Sequence, residues 1–511
     1  MKPQRLLKTT LVMLLALTFV SSPALAMDVG PFKLNGYVRS YLSWNMENPA
    51  ETVEDDSWKL SMNRQTLFLE AFGKVGPTRW TGRLRADQEM ITDYEDRLQA
   101  SSNGACAFLG CGIIDFDDEY AGIDMRELFV DFSLGKRLDF RLGRQQVVWG
   151  ETDFFHATDV VHGYDFRWRH FLVPENEDVR KPLILANVTL NVPELKGSLQ
   201  GIVRPGLDRA EWIGNSVPII GGRWSNRGSK GGLFGSYTAQ PAFVKTSWST
   251  AFGDSDDPHY GFRWTGVLGK DDDIDYSLMF YHGTGGFMSD PILVAAPVSN
   301  GSIFPVATGA PFGLELIYPE TNTVGGTVSG YIPFIDSTYR LEAAWTNNRR
   351  FSNTTAFAMV TKDAWNFLAG IDANPRLQKY IKTSSQSLLT LQVFDWHLNV
   401  DQEQDRILNF VGAGSFDTHN MMGTMILTLP YMHDTLVGTF VGIVDMTHGG
   451  GIIIPSVEKH FGPHWRVKLE ADISLGGNIT RANAGFPGDD ASILGIFDKN
   501  SQLLLRTTYQ F

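Results

Sequence analysis

SQLLLRTTYQF, residues 501–511, alternates without a break: Leu503, Leu505, Thr507, Tyr509 and Phe511 fall on one face of an extended segment, and Gln502, Leu504, Arg506, Thr508 and Gln510 on the other. A period of two marks a strand whose faces meet different surroundings. The pattern recurs in RWTGRLRAD (79–87), where Trp80, Gly82, Leu84 and Ala86 oppose Thr81, Arg83, Arg85 and Asp87. It recurs again in HWRVKLEADISL (464–475), where Trp465, Val467, Leu469, Ala471 and Ile473 oppose Arg466, Lys468, Glu470 and Asp472. A soluble sandwich turns its apolar faces inward and seldom lines the other face with charge on strand after strand. A transmembrane barrel does the reverse, apolar to lipid and polar to the lumen, in segments of about ten residues.

Connection lengths choose between the two. Strands placed where alternation is visible leave short links at 75–78, 135–137, 193–196, 269–272, 332–337, 400–404, 431–434 and 460–463. Long connections fall at 46–58, 88–123, 149–181, 205–257, 284–315, 348–384 and 476–500. Short and long alternate, as in an outer-membrane barrel with tight periplasmic turns and long extracellular loops. The strand number of such a barrel is even, because both chain ends lie on one side. Counting RILNFVG (406–412) as a weak strand and leaving 242–252 in a long loop predicts an all-β, antiparallel barrel of 18 strands, with 16 as the fallback. Phe32, Phe72, Trp80, Tyr339, Phe461, Trp465, Tyr509 and Phe511 all sit beside an expected short link or a chain end. Aromatic rings gather at that depth, at the membrane interface.

The chain ends and composition agree. Lys2, Arg5 and Lys8, the apolar run Leu11 to Val20 and the small-residue ending Ala24-Leu25-Ala26 read as a signal peptide over residues 1–26, leaving 27–511 as a single barrel domain. No later stretch reaches the roughly 18 unbroken apolar residues of a transmembrane helix. Without those three cations, 41 basic residues face 57 acidic ones, a net charge of −16, which argues against a nucleic-acid partner. Fifty-one glycines and 12% aromatics suit turns and strands. Cys106 and Cys111, in CAFLGC, are expected to form a disulfide in an oxidising compartment; the rival reading, a redox pair or half a metal site, finds no neighbouring Cys or His cluster.

A barrel of this size encloses a channel wide enough for solutes. Arg83, Arg85, Arg141, Arg340, Arg466, Lys468 and Arg506, with Glu127, Asp131, Glu342, Glu470 and Asp472, are expected to line it. Mixed charges of this kind tune the passage of polar solutes, or simply pair with one another. After Leu142 the alternation breaks at GRQQVVWG, which predicts a bulge or bend at Gly143 or Gly150. The connection that follows holds Asp153, Phe154, Phe155, His156, Asp159, Tyr164, Asp165, Phe166, Arg167, Trp168, Arg169 and Phe171. A loop facing only water has little reason to hold so many rings. It is expected to fold into the lumen as a constriction; packing on other loops or a partner protomer is the alternative.

GRQQVVWGETDFFHATDVV (143–161), followed by RKPLILANVTLNVPELKGSLQGIVRP and preceded by NRQTLFLEAFGKVGPTRWTGRLRAD, resembles the bacterial family catalogued as domain of unknown function 1302. The resemblance runs from about residue 32 to Phe511, and Arg144, Gln145, Trp149 and Glu151 are its motif positions. It implies an outer-membrane β-barrel linked with hydrophobic or lipid-like compounds and with inner-membrane lipid exporters. After Val161 the chain has His162-Gly163 where the family pattern carries an Asn-Pro pair.

Three functions follow as expectations. The first is an outer-membrane transport channel for a hydrophobic or lipid-like solute, in a Gram-negative bacterium, with a general or sugar-selective diffusion porin as its variant. The second, an enzyme, is disfavoured: no Gly-x-Ser-x-Gly elbow or His-Glu-x-x-His pair occurs, and His156, His162 and His170 read as surface residues. The third is a scaffold for a periplasmic carrier or an inner-membrane exporter, its acidic segments Asp271 to Asp273 and Asp401 to Asp405 lying on periplasmic turns, with homo-oligomers also open. No haem-attachment motif is present, so no cofactor is expected.

Overall fold

The alternating segment at the C-terminal end becomes β22 (Gln502–Gln510), which pairs antiparallel with β2 (Phe32–Asn45), from Tyr37 opposite Gln510 to Asn45 opposite Gln502. That pairing closes the sheet. A computed structural model of the chain describes residues 27–49, 52–100, 115–116, 121–164, 179–208, 244–247, 253–269, 273–284, 292–297, 312–353, 358–401, 404–407, 416–477, 492, 494, 499 and 501–511. The expected signal peptide, the Cys106–Cys111 pair, and Arg167, Trp168 and Arg169 lie outside the described residues.

From β2 the ring runs through β3 (Leu60–Val75), β4 (Thr78–Glu89), β5 (Gly122–Leu134), β6 (Leu138–Gln145), β7 (Leu183–Val192) and β8 (Gly197–Arg204). It continues through β10 (His259–Leu268), β11 (Ile274–Thr284), β14 (Glu320–Ile332), β15 (Ser337–Ser352), β16 (Met359–Ala373) and β17 (Leu388–Leu398). It ends with β18 (His419–Tyr431), β19 (Leu436–Asp445), β20 (Gly451–Phe461), β21 (Trp465–Leu475) and β22. Each strand pairs antiparallel with the next, giving an 18-strand closed barrel. A three-residue strand, β1 (Met27–Val29), adds only to the start of β2. Segment 244–247 lies outside the ring, as expected: β9 (Val244–Ser247) joins β12 (Ile292–Pro297) and β13 (Phe312–Ile317) in a separate three-stranded sheet.

One rim carries compact turns. Two of them repeat a device in which Pro193–Leu195 and Pro333–Ile335 make a 3₁₀ turn that ends on a left-handed residue, Lys196 or Asp336. Proline suits the first position because its missing N–H has no partner to lose there. Gly76, Gly135 and Gly462 supply positive φ in three others.

Two expectations fail, and they fail together. Residues 348–384 are not a long loop: β15 continues past an irregularity between Thr346 and Arg349, and β16 returns as a full strand. RILNFVG is not a barrel strand over its described part; Ile407 makes only an isolated bridge to Asn353, and 408–412 lie outside the described residues. Gaining β16 and losing 406–412 leaves the count at 18 but moves 400–404 to the opposite rim. Asp401 and Asp405 therefore sit beside the long loops, where Lys362 pairs with Asp405 at 2.5 Å.

The outward face is an apolar belt that includes Trp80, Leu142, Leu199, Phe262, Leu278, Leu341, Phe367 and Leu469, all exposed. No helix among the described residues is long and apolar enough to cross a membrane, so it is the strands that present this surface.

Candidate functional site

Most of the residues expected to line the lumen are engaged in pairs. Arg83 reaches Glu70 at 2.7 Å and Glu127 at 2.6 Å; Arg141 reaches Asp131 at 2.7 Å and lies over the Phe129 ring. Arg85 pairs with Asp87, Lys468 with Glu470 and Arg506 with Glu458. Arg466 is exposed at the compact-turn rim. The structure brings these charges together in local pairs, within one strand or between strands close by in the barrel, where each largely neutralises its partner, and not into one ring.

The bend predicted after Leu142 is at Gly143. Its φ is +124°, and a β-carbon there would lie 2.3 Å from the Leu128 carbonyl oxygen, so only glycine fits. A bulge in β5 skips Arg126 between Met125 and Glu127, and the buried Arg126 donates to the Arg180 carbonyl at 2.5 Å. Arg144 is buried 3.6 Å from Asp124. Gln145, fully buried, donates to the carbonyls of Arg141, Gly143 and Leu185 and accepts from Asn187 at 3.2 Å. The motif residues Arg144 and Gln145 thus fix where the chain leaves the wall.

From there the segment 146–164 crosses the lumen and is gripped by strands from β8 round to β17. Trp149 is fully buried, donates its indole N–H to Gln200 at 2.8 Å, and meets Tyr281 edge-on, with Gly261 opening space for its ring. Glu151 accepts from Thr327 at 2.8 Å, and its backbone oxygen accepts from Arg340. Asp153 accepts from Gln392 at 3.1 Å. Glu342, on β15, accepts four bonds from the segment: from the backbone N–H of Glu151 (2.7 Å), Ala157 (3.3 Å) and Thr158 (3.1 Å), and from the Thr158 hydroxyl (2.8 Å). A single wall carboxylate thus clamps three points of the loop.

Phe154 and Phe155 sit in the largest apolar cluster, and Phe155 packs against Phe394 and Trp396 of β17 at ring separations of 5.7 and 5.5 Å. The same cluster takes Leu368, Val441, Ile443, Ile452, Ile454 and Leu504 from the inner faces of β16, β19, β20 and β22. The lumen wall is therefore mixed: paired charges line it along β3 to β6 and again along β20 to β22, and an apolar patch from β16 through β20, with Leu504 of β22, packs against the loop. Sequence reading missed the apolar patch, and also missed Gln200, Arg180, Phe394 and Trp396 as partners of the loop. A visible signal existed in Phe394, Trp396 and Leu398, which occupy one face of β17.

The loop closes on a buried ionic knot. Arg180 pairs with Asp159 at 2.5 Å, Tyr164 donates to Asp159 at 2.9 Å, and the guanidinium lies over the Tyr164 ring. Burial pushes the Asp159 carboxyl up, but the Arg180 charge and hydrogen bond, together with the neighbouring histidines, hold the group below the usual carboxylate range. His156 and His162 are buried, not surface residues; His170 lies outside the described residues. His162 Nε2 accepts the Val147 N–H at 2.8 Å while Nδ1 contacts the Lys181 carbonyl at 2.9 Å, so Nδ1 carries the proton of a neutral ring. Burial and the nearby Arg180 charge lower its pKa from 6.5 to about 3.

That fixes a pH dependence. A released loop takes up a proton on His162 near 6.5, whereas the held loop refuses it down to about 3, so the held state is fully favoured above 6.5 and weakens as pH falls through that window. Asp159, with its lowered pKa, stays ionised over most of it. Release of the loop is expected to become roughly a hundredfold more frequent two pH units below the free histidine value. Protease sensitivity near residue 160, followed from neutral to acid pH, measures it. An acid response unchanged in His162→Gln would refute the assignment.

These features define the class: a closed 18-strand antiparallel barrel with an apolar outer belt, resembling outer-membrane porins, whose lumen is crossed by the connection after β6, the fifth strand of the ring. The chain belongs to the family described as Protein of unknown function (DUF1302), whose model matches residues 8–428. No curated protein matches the chain. Among solved structures, Salmonella typhi OmpF in complex with daunomycin is 9% identical at a TM-score of 0.39, covering 95% of this chain and 100% of that one. An anion-selective porin from Comamonas acidovorans is 10% identical at a TM-score of 0.36, covering 94% and 99%. A Rhodopseudomonas blastica porin triple mutant is 11% identical at 0.34, covering 94% and 100%. The architecture itself rests on the strand pairings described above.

Proposed function

We propose that the protein is a channel of a Gram-negative outer membrane for a hydrophobic or lipid-like compound, with residues 149–181 forming its constriction. The observation that carries this reading is the packing of Phe155 on Phe394 and Trp396, within an apolar cluster that also holds Phe154, where a diffusion pore for sugars or ions would keep water. An apolar solute can exchange for those ring contacts at little cost, whereas an ion loses its hydration there. The wall charges, already self-paired, serve on this reading to hold the loop and not to select ions.

Reconstitution in planar bilayers tests the proposal. The intact chain is expected to show low ion conductance, and a chain lacking residues 152–178 a large one. Proteoliposomes are expected to take up a pyrene-labelled long-chain carboxylic acid faster than a disaccharide. A large conductance in the intact chain, or uptake of the disaccharide in preference, would replace this reading with a diffusion porin.

A further inference from the structure

Two histidines and an aspartate stand together on the outer surface of the barrel, apart from the lumen. His397 on β17 and His419 on β18 are directly opposed in the ladder, with ring centroids 4.6 Å apart. Asp395, two residues before His397, shares that outward face; its Oδ1 accepts the Asn420 N–H at 3.0 Å and its Oδ2 lies 2.7 Å from His419 Nδ1. One donor atom from each of the three residues lies within 4.8 Å of the others. The His397 Nδ1 is buried and lacks a hydrogen-bond partner among the described residues. A nitrogen in that position normally finds a partner, so its lack of one calls for a cause.

We propose that Asp395, His397 and His419 form a binding site for a divalent transition cation of the zinc class on the outer wall of the barrel. The donor set, two imidazoles and one carboxylate, suits zinc, cobalt or nickel and not calcium or magnesium, which prefer oxygen ligands. Two paired strands hold the imidazoles without loop motion, and the backbone N–H of Asn420 fixes the carboxylate. His419 has 61% of its side chain exposed, which gives the ion a path in from the aqueous side and leaves a coordination position open. The site lies at the end of β17 that leads into 399–418, and its cross-strand neighbour on β16 is Trp365, stacked on Phe367. Aromatic pairs of that kind mark the bilayer interface, so the ion would sit at the depth of the lipid headgroups.

A second grouping, Asp257, His282 and Glu320, carries a weaker case, because His282 already contacts Asn322 at 3.0 Å and Asp257 is largely exposed. The test is therefore made on a His282→Ala background, in the full chain purified in detergent without a histidine tag. Cobalt(II) titration, read by its visible ligand-field bands, is expected to saturate at one ion per chain and to be reversed by zinc. His419→Ala and Asp395→Asn, both near the solvent edge, are expected to weaken binding at least tenfold with the strand spectrum unchanged, and His397→Ala more so. No stoichiometric binding in the background chain, or unchanged affinity in any of the three variants, overturns the proposal.

Discussion

Glu342→Ala is expected to free the inserted loop and turn a poorly conducting barrel into a leaky one. The Glu342 carboxylate accepts from three backbone N–H groups and one hydroxyl of the loop, all but the Glu151 N–H fully buried. Hydrogen bonds to a charged group are the stronger ones, and removing the acceptor leaves buried donors that water must enter to satisfy. Losing the clamp costs the held state about 3 kcal/mol once partial rehydration is allowed for. That multiplies the released population by roughly two orders of magnitude. In planar bilayers the substitution is expected to convert rare openings into frequent or sustained ones of the size seen when residues 152–178 are deleted. Glu342→Gln keeps one acceptor but turns an NH₂ group toward donors, so it should fall between. A Glu342→Ala barrel that folds, inserts and conducts no more than the unaltered one would show that the loop is held elsewhere.

How much of this was legible in the chain depends on what each strand face touches. Where the inside is ionic and the outside is lipid, as in RWTGRLRAD and HWRVKLEADISL, chemical contrast repeats every second residue and the strands are plain. Where the inside is apolar because the loop packs on it, the contrast vanishes. In β16, Val360, Ala364 and Leu368 face inward while Trp365 and Phe367 face out, and both faces read as apolar with charges interspersed. The strand was therefore hidden in a supposed loop by the feature that makes the lumen greasy. β15 was cut short for another reason: Asn348 adopts a left-handed φ of 50° at an irregularity in the ladder, in a polar run, TNNRR, that reads as a turn. The inserted loop was visible through its rings and its broken alternation. Its anchors were not, because Glu342, Gln200 and Gln392 lie far from it in sequence and become neighbours only when the ring closes. The His162-Gly163 departure from the family pattern marked a real feature, since His162 bridges the two ends of the loop through Val147 and Lys181.

Arg180→Ala is expected to damage the loop more than the loss of both members of its ion pair. Arg180 and Asp159 have side-chain exposures of 3% and 1%, so each owes its charged state to the other. Removing the guanidinium alone strands a buried carboxylate, which costs about 3–5 kcal/mol. It also breaks the contact with Gln146 at 3.3 Å and uncovers the Tyr164 ring. The double variant Asp159→Asn, Arg180→Met removes both charges while keeping volume, and a buried pair replaced by neutral groups of similar size is often tolerated. Asparagine still accepts from Tyr164, and methionine still covers its ring. Protease cleavage near residue 160 is therefore expected to rise by roughly two orders of magnitude or more in Arg180→Ala, and by far less in the double variant. Conductance should follow the same order. If the pair instead acts only through its net attraction, the double variant should fare as badly as the single one, and equal damage in the two would refute the argument. The comparison separates a charge that is merely tolerated in the lumen from one the loop needs, because only a stranded carboxylate makes the single substitution worse than the double.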